Sequence, residues 1–395
     1  MASWIGASLF ALALVQCSAS DRPPVQGSVP VDGSGPTPED ATADAALDAQ
    51  SSGTRTTEDQ PDDAPGTYQM HALYVEASDR DSVPRLDEDG TIRRAITSFN
   101  RWLAARTGGP KFRIDTHNGV IDVTYVKLAV TEAALAQGVG FDGGIEAPRN
   151  LHQRLDALLR PKFSDPKKLY LVYYDGLMLG TCGDAPLGGH TAMSYVGGIW
   201  SSSFLRAPAS ASANTIDVYD PVASQLPTPP FAAHLGSEAV NVSGVSGNTV
   251  SLTAALVSPH AQGELLKPDG RPQDCRLNPF SRDGVEFTYA TFVGMHELAH
   301  ALGIVSPAAP DHAPPPVAAG HLGPGSAAGL SDLMYQGAAN GTCGTYAAKA
   351  EDSPCQLDPG HQNYFMLAPA SPLVDLAKSV FLDPTPANAV TPPNW

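Results

Sequence analysis

A chain of 395 residues, 42% hydrophobic and only 16% charged, holds enough apolar material for a real core and exceeds one typical domain in length. Its formal net charge of −17 argues against a nucleic-acid partner, which would need a basic face. With 37 glycines and 36 prolines, much loop and at least one stretch that does not fold are expected.

The N-terminus reads as an export signal over residues 1–19. Leu9 to Val15 is an apolar run too short to span a bilayer as a mature helix. Cys17 follows in Leu14-Val15-Gln16-Cys17, which resembles a bacterial lipoprotein box and makes Cys17 the lipidation candidate. No Lys or Arg precedes the run, and cleavage near Ala19 would instead release a free secreted protein. The expected location is thus outside the cell, secreted or lipid-anchored to the surface, with that anchor as the sole membrane contact. Residues 21–66 carry ten Asp/Glu against Arg22 and Arg55, about half of the net charge, and almost no large apolar side chain. Such a stretch cannot offset its chain entropy by burial, so 20–66 is expected to be a disordered acidic tether and 67–395 the folded domain.

Within that domain, His71–Val75 reads as a first strand. Ile92, Ile96, Phe99, Trp102 and Leu103 recur at a helical period, with Thr91 placed to cap the helix and Gly108-Gly109 to end it. Phe112–Asp115 and Val120–Val126 read as strands around an Asn118-Gly119 turn, and Arg149–Leu159 as a second helix. Leu169–Tyr174 is almost wholly apolar, as a buried strand would be. Residues 180–282 read as an elaborated connection with a hairpin of Val240–Val242 and Val250–Leu252; Thr181-Cys182-Gly183 would border the cleft. From Gly284 to Leu302 the pattern is helical again, stopped by Gly303. The fold class predicted is α/β or α+β.

His296-Glu297-Leu298-Ala299-His300 matches H-E-x-x-H. Four residues on a helix put two imidazoles one turn apart on one face, where both can reach one ion. Glu297 lies about 100° round the helix, so it can address a water on the metal rather than occupy a coordination position. The surrounding residues Phe292, Val293, Leu298, Ala301 and Leu302 are apolar, and burying two His and a Glu among them is costly unless they bind metal. One catalytic Zn2+ is therefore expected. No Glu occurs between Ala301 and Ala350, which removes the class that uses a downstream glutamate as third ligand.

What remains, His296-Glu297-x-x-His300-x-x-Gly303 followed by Ser331-Asp332-Leu333-Met334-Tyr335, resembles the metzincin zinc metallopeptidases. The resemblance implies a metzincin-like catalytic domain with a twisted mixed sheet, an active-site helix and a loop-rich C-terminal part. It also implies a turn in which Met334 floors the site and Tyr335 stabilises the oxyanion. The usual third-ligand position, three residues after the glycine, is Ser306, so the third ligand must lie elsewhere: Asp311, His312, His321 or Asp332. The segment is similar to a group of secreted bacterial zinc-peptidase-like proteins, echoed in Pro310-Asp311-His312, Gly320-His321 and the Asp332–Tyr335 turn. Gly320 gives His321 a flexible approach and makes it the preferred ligand, with His312 as the alternative. The likeness covers about 40 residues, Gly294 to Tyr335.

The implied function is hydrolysis of a peptide or protein substrate by a monomer, with Glu297 as general base. A zinc amidase acting on cell-wall or small amide bonds would use the same residues, and a non-catalytic surface-binding protein could be stabilised by zinc instead. Besides Cys17, four cysteines remain, an even set that suggests two disulfides in an exported protein. Proximity along the chain favours Cys182–Cys275 and Cys343–Cys355. His190, His234, His260 and His361 are read as surface or packing residues.

Overall fold

The computed structural model describes residues 54–82, 85–136, 146–176, 182–197, 203–218, 226–262, 264–269, 275–277, 286–314, 320–323, 329–335, 342–368 and 371–392. The expected export signal, Cys17 and the start of the tether lie outside them. The fold is mixed α+β. Its elements in chain order are β1 (Gln69–Glu76), α1 (Thr91–Thr107), β2 (Lys111–Phe112), β3 (Thr116–His117), β4 (Val120–Ile121), β5 (Val123–Lys127), α2 (Glu132–Ala136), α3 (Glu146–Leu159), β6 (Lys168–Tyr174), β7 (Gly183–Asp184), β8 (Thr191–Tyr195), β9 (Ser203–Phe204), β10 (Thr215–Asp217), β11 (Phe231–Leu235), β12 (Glu238–Ser246), β13 (Thr249–Leu252), β14 (Leu265–Pro268), α4 (Tyr289–Ala301) and β15 (Leu382–Asp383).

The two apolar runs seen in the sequence become β1 and β6, and every residue of both is buried. That is the pattern of parallel strands covered on both faces. They lie inside a five-stranded sheet of order β5-β1-β6-β8-β7, parallel throughout except for the antiparallel edge strand β7. Alternate side chains divide between two layers. Met70, Ala72, Tyr74, Leu171 and Tyr173 pack with Phe99 and Trp102 of α1 and Phe292 and Leu298 of α4. On the other face Leu73, Val75, Tyr170 and Val172 meet Leu151, Leu155 and Leu159 of α3.

Helix α1 ends as predicted, with Gly108 at φ 76 and its N–H donating to Ala104 O. Its start differs. Thr91 is the first helical residue, Gly90 holds the cap position, and the Thr91 N–H is taken by Asp89 Oδ1 at 2.8 Å. Asn118 and Gly119, at φ 53 and 77, form the predicted turn between β3 and β4, because a two-residue hairpin asks for positive φ at both positions.

Two sequence expectations are corrected. The stretch read as an elaborated connection builds a second sheet of six strands, order β10-β13-β12-β11-β14-β9, with a core of its own that includes Leu205, Ile216, Leu235, Val242, Val250 and Leu266. The predicted hairpin is its β12–β13 pair. The folded chain is also described from Thr54, ahead of the boundary expected at 67. Thr56 bridges Thr124 and accepts the Tyr125 N–H at 2.7 Å, so this strap covers the edge of β5. Arg55 pairs with Asp87 at 2.7 Å and stacks over Tyr125, and Asp59 and Asp62 reach Lys168 at 2.7 and 2.8 Å.

Cys182 pairs with Cys275 and Cys343 with Cys355, at Cα–Cα distances of 5.2 and 4.2 Å. Two disulfides fit an extracellular protein. Among the described residues no helix is long and apolar enough to cross a membrane.

Candidate metal centre

The H-E-x-x-H segment lies on α4, which starts at Tyr289 rather than near Gly284. Thr288 caps it, its hydroxyl accepting the Thr291 N–H at 3.2 Å. Every residue from Ala290 to Ala301 is buried, as expected of a helix that is apolar nearly all round. His296, Glu297 and His300 are therefore inside the protein, at 7%, 7% and 4% exposure. Gly303 takes φ 78 and donates its N–H to His300 O at 2.8 Å, ending the helix as its sequence position predicts.

The third histidine comes from a ladder of single-residue bridges. The Ala313 N–H donates to His321 O at 2.8 Å, and the Leu322 N–H donates to Met334 O at 2.9 Å. His321 is thus held between the 311–313 segment and the 332–335 turn. Gly320 stands at φ 90, and a Cβ there would come within 2.6 Å of His300 Nδ1. Glycine is required at this position for both reasons.

The three Nε2 atoms of His296, His300 and His321 form a triangle with sides of 3.1 Å. Donors bound tetrahedrally at about 2.0–2.1 Å stand roughly 3.3 Å apart, so this set fits one ion with a fourth position left over. The group could hold a metal ion. The other nitrogen of His296, Nδ1, lies 2.8 Å from Leu333 O, which fixes the proton there and leaves Nε2 free for a metal. Burial, followed by the neighbouring His321, pushes His296 down to about 3 and His300 well below its usual range. Both rings are neutral at physiological pH, the form that ligates. Burial, then Asp184, raises the Glu297 carboxyl well above the ordinary carboxylate range. Gly183 of β7 lies directly against Glu297, so this member of the Thr181-Cys182-Gly183 stretch borders the site; Thr181 lies outside the described residues.

The alternative ligand His312 is not in the cluster. It bridges Leu322 across the antiparallel ladder, and directly opposed residues share a face, so His312 and His321 point to opposite sides. Asp311 accepts from Gln362 and Asn363, and Asp332 accepts from Tyr364, which places both carboxylates in the C-terminal loops instead. Met334 is fully buried in the main core, and Tyr335 closes the turn by donating its N–H to Asp332 O at 3.2 Å. His234 and His260 pair with Asp269 and Glu238, away from the site.

Sequence reasoning missed one further group. Asp59, His71, Asp115 and Asp122 also bring potential ligand atoms within 4.8 Å of one another. Lys168 Nζ already sits among these carboxylates, 2.7–2.8 Å from oxygens of Asp59, Asp62 and Asp115. A cation is therefore in place, and the cluster is an ion-pair network. Its members come from four separate segments, and no spacing in the sequence links them.

No family model matches the chain, and neither a curated protein nor a solved structure gives a match.

Proposed function

We propose that the protein is an exported zinc-dependent endopeptidase of metzincin type, which hydrolyses peptide bonds with His296, His300 and His321 as the metal ligands and Glu297 as general base. One observation carries the reading: three imidazole Nε2 atoms converge at 3.1 Å, with a buried carboxyl group one residue from a ligand on the same helix. Three histidine ligands with a fourth position open make a catalytic rather than a closed structural zinc arrangement.

When bound, zinc supplies an acidified water and a Lewis acid for the scissile carbonyl. The chain's own groups do the rest. Glu297 takes a proton from the attacking water and returns it to the leaving amine. The Leu333 carbonyl holds the His296 ring in its ligating orientation. Tyr335, at the end of the turn, is the candidate donor to the developing oxyanion. An edge strand in the upstream half would hold the substrate extended by strand addition.

The test uses the full chain loaded with zinc, and casein as an unstructured substrate. Wild type should cut, a chelator should stop it, and Glu297→Ala should keep one zinc per chain while losing at least about a hundredfold in rate. Equal zinc in both proteins with no hydrolysis of casein by the wild type would overturn the peptidase reading.

A further inference from the structure

Resting on the peptidase reading, we propose that Gly183 is a positioning residue for Glu297: the absent side chain at Gly183 makes the slot that seats the general base. A Cβ built at Gly183 would lie 2.5 Å from Glu297 Cγ, 2.5 Å from Oε1 and 2.7 Å from Cδ. All three distances are far inside van der Waals contact. The backbone gives no other reason for glycine here, since Gly183 is not among the glycines at positive φ. Gly109 and Gly119 are the opposite case, with positive φ and open space where a Cβ would go. At Gly183 the constraint is space alone.

The slot is rigid on both sides. Gly183 pairs with Ser194 and Asp184 with Met193 along the β7–β8 ladder, and the Tyr195 N–H donates to Cys182 O at 2.8 Å. Cys182, the adjoining residue, is tied to Cys275 by a disulfide. Strand β8, which anchors β7, is buried along its whole length. Glu297 in turn projects from a helix that is buried from Ala290 to Ala301. A methyl group at Gly183 therefore cannot be absorbed by retreat of the strand. The carboxylate would have to move, while His296, His300 and His321, none of which supplies the three atoms nearest to that Cβ, would keep their triangle.

Gly183→Ala should separate base placement from metal binding. The experiment compares wild type, Gly183→Ala, Glu297→Ala and the double variant as full chains, in two measurements. In the zinc-loaded proteins we expect one zinc per chain throughout, and for Gly183→Ala a fall in kcat on the order of a hundredfold with KM nearly unchanged. In the metal-stripped proteins Gly183→Ala should lower the Tm by several degrees when Glu297 is present and hardly at all beside Glu297→Ala, because the shorter side chain empties the slot. An unchanged kcat in Gly183→Ala, or the same Tm loss in both backgrounds, would overturn the proposal. If the wild type does not hydrolyse peptides, the peptidase reading fails and the catalytic half of this inference with it. The coupling in Tm then still decides whether Gly183 seats Glu297.

Discussion

Asp332 is fully buried, and its two carboxylate oxygens are treated differently. Oδ1 accepts from the Met334 N–H at 2.6 Å and the Tyr364 hydroxyl at 2.8 Å, while Oδ2 has no partner among the described residues. Burial, helped by nearby Asp358, pushes its pKa up from the ordinary 3.8 to about 7. A carboxyl whose folded pKa is raised contributes stability that is complete below pH 4 and is lost as the pH rises to 7, in total about 4 kcal/mol. Asp332→Asn keeps the two accepted bonds and replaces the ionisable oxygen with a neutral group. In metal-stripped protein the Tm of the variant relative to wild type should be lowest near pH 4 and should climb steadily to a clear excess at pH 8. The buried histidines have lowered pKa values and act in the opposite direction, but equally in both proteins, so the difference isolates Asp332. A variant less stable than wild type at pH 8 would mean that Asp332 is held ionised.

At the scale of elements, the strap of residues 54–66 carries a structural load that its composition conceals. Lys168 is 3% exposed and is neutralised by Asp115 from the body and by Asp59 and Asp62 from the strap. Removing the strap leaves the ammonium with one carboxylate partner and uncovers the β5 edge. Breaking a buried ion pair costs on the order of 3–5 kcal/mol. A chain beginning at Thr67 should therefore unfold at clearly lower urea concentration than one beginning at Thr54; equal midpoints would show the strap to be ornamental. The same segment marks where the sequence stops being legible. Strands β1 and β6 are visible because continuous apolar runs leave few alternatives, and α4 is visible because H-E-x-x-H needs helical spacing to work. The strap is held by single polar pairs that leave no period behind. The second sheet was hidden for another reason: β11, Phe231-Ala232-Ala233-His234-Leu235, puts Phe231, Ala233 and Leu235 on one face and Ala232 and His234 on the other, and the alanine on each face blurs the two-residue pattern.

Across the whole molecule, the histidine cluster joins parts of the chain that are far apart in sequence. Helix α4 brings His296 and His300, the 320–323 segment brings His321, and Leu333 ties the following turn to His296. That turn is linked onward through the Leu333 N–H to Gln356 O at 2.9 Å and through Asp332 to Tyr364. An ion bound by all three rings but not by the unfolded chain stabilises the entire fold by mass action, by about 4 kcal/mol at a concentration a thousand times its Kd. Zinc added to the stripped protein should raise the Tm by several degrees, and the gain should depend on which histidine is present. His321→Ala should abolish it, and His312→Ala should leave it intact, because the ladder turns His312 to the opposite face. The metal-free variants should share the circular dichroism of metal-free wild type, which separates loss of a ligand from loss of the fold. A zinc-induced rise that survives His321→Ala and vanishes with His312→Ala would reverse the assignment of the third ligand and with it the direction of the 320–323 segment.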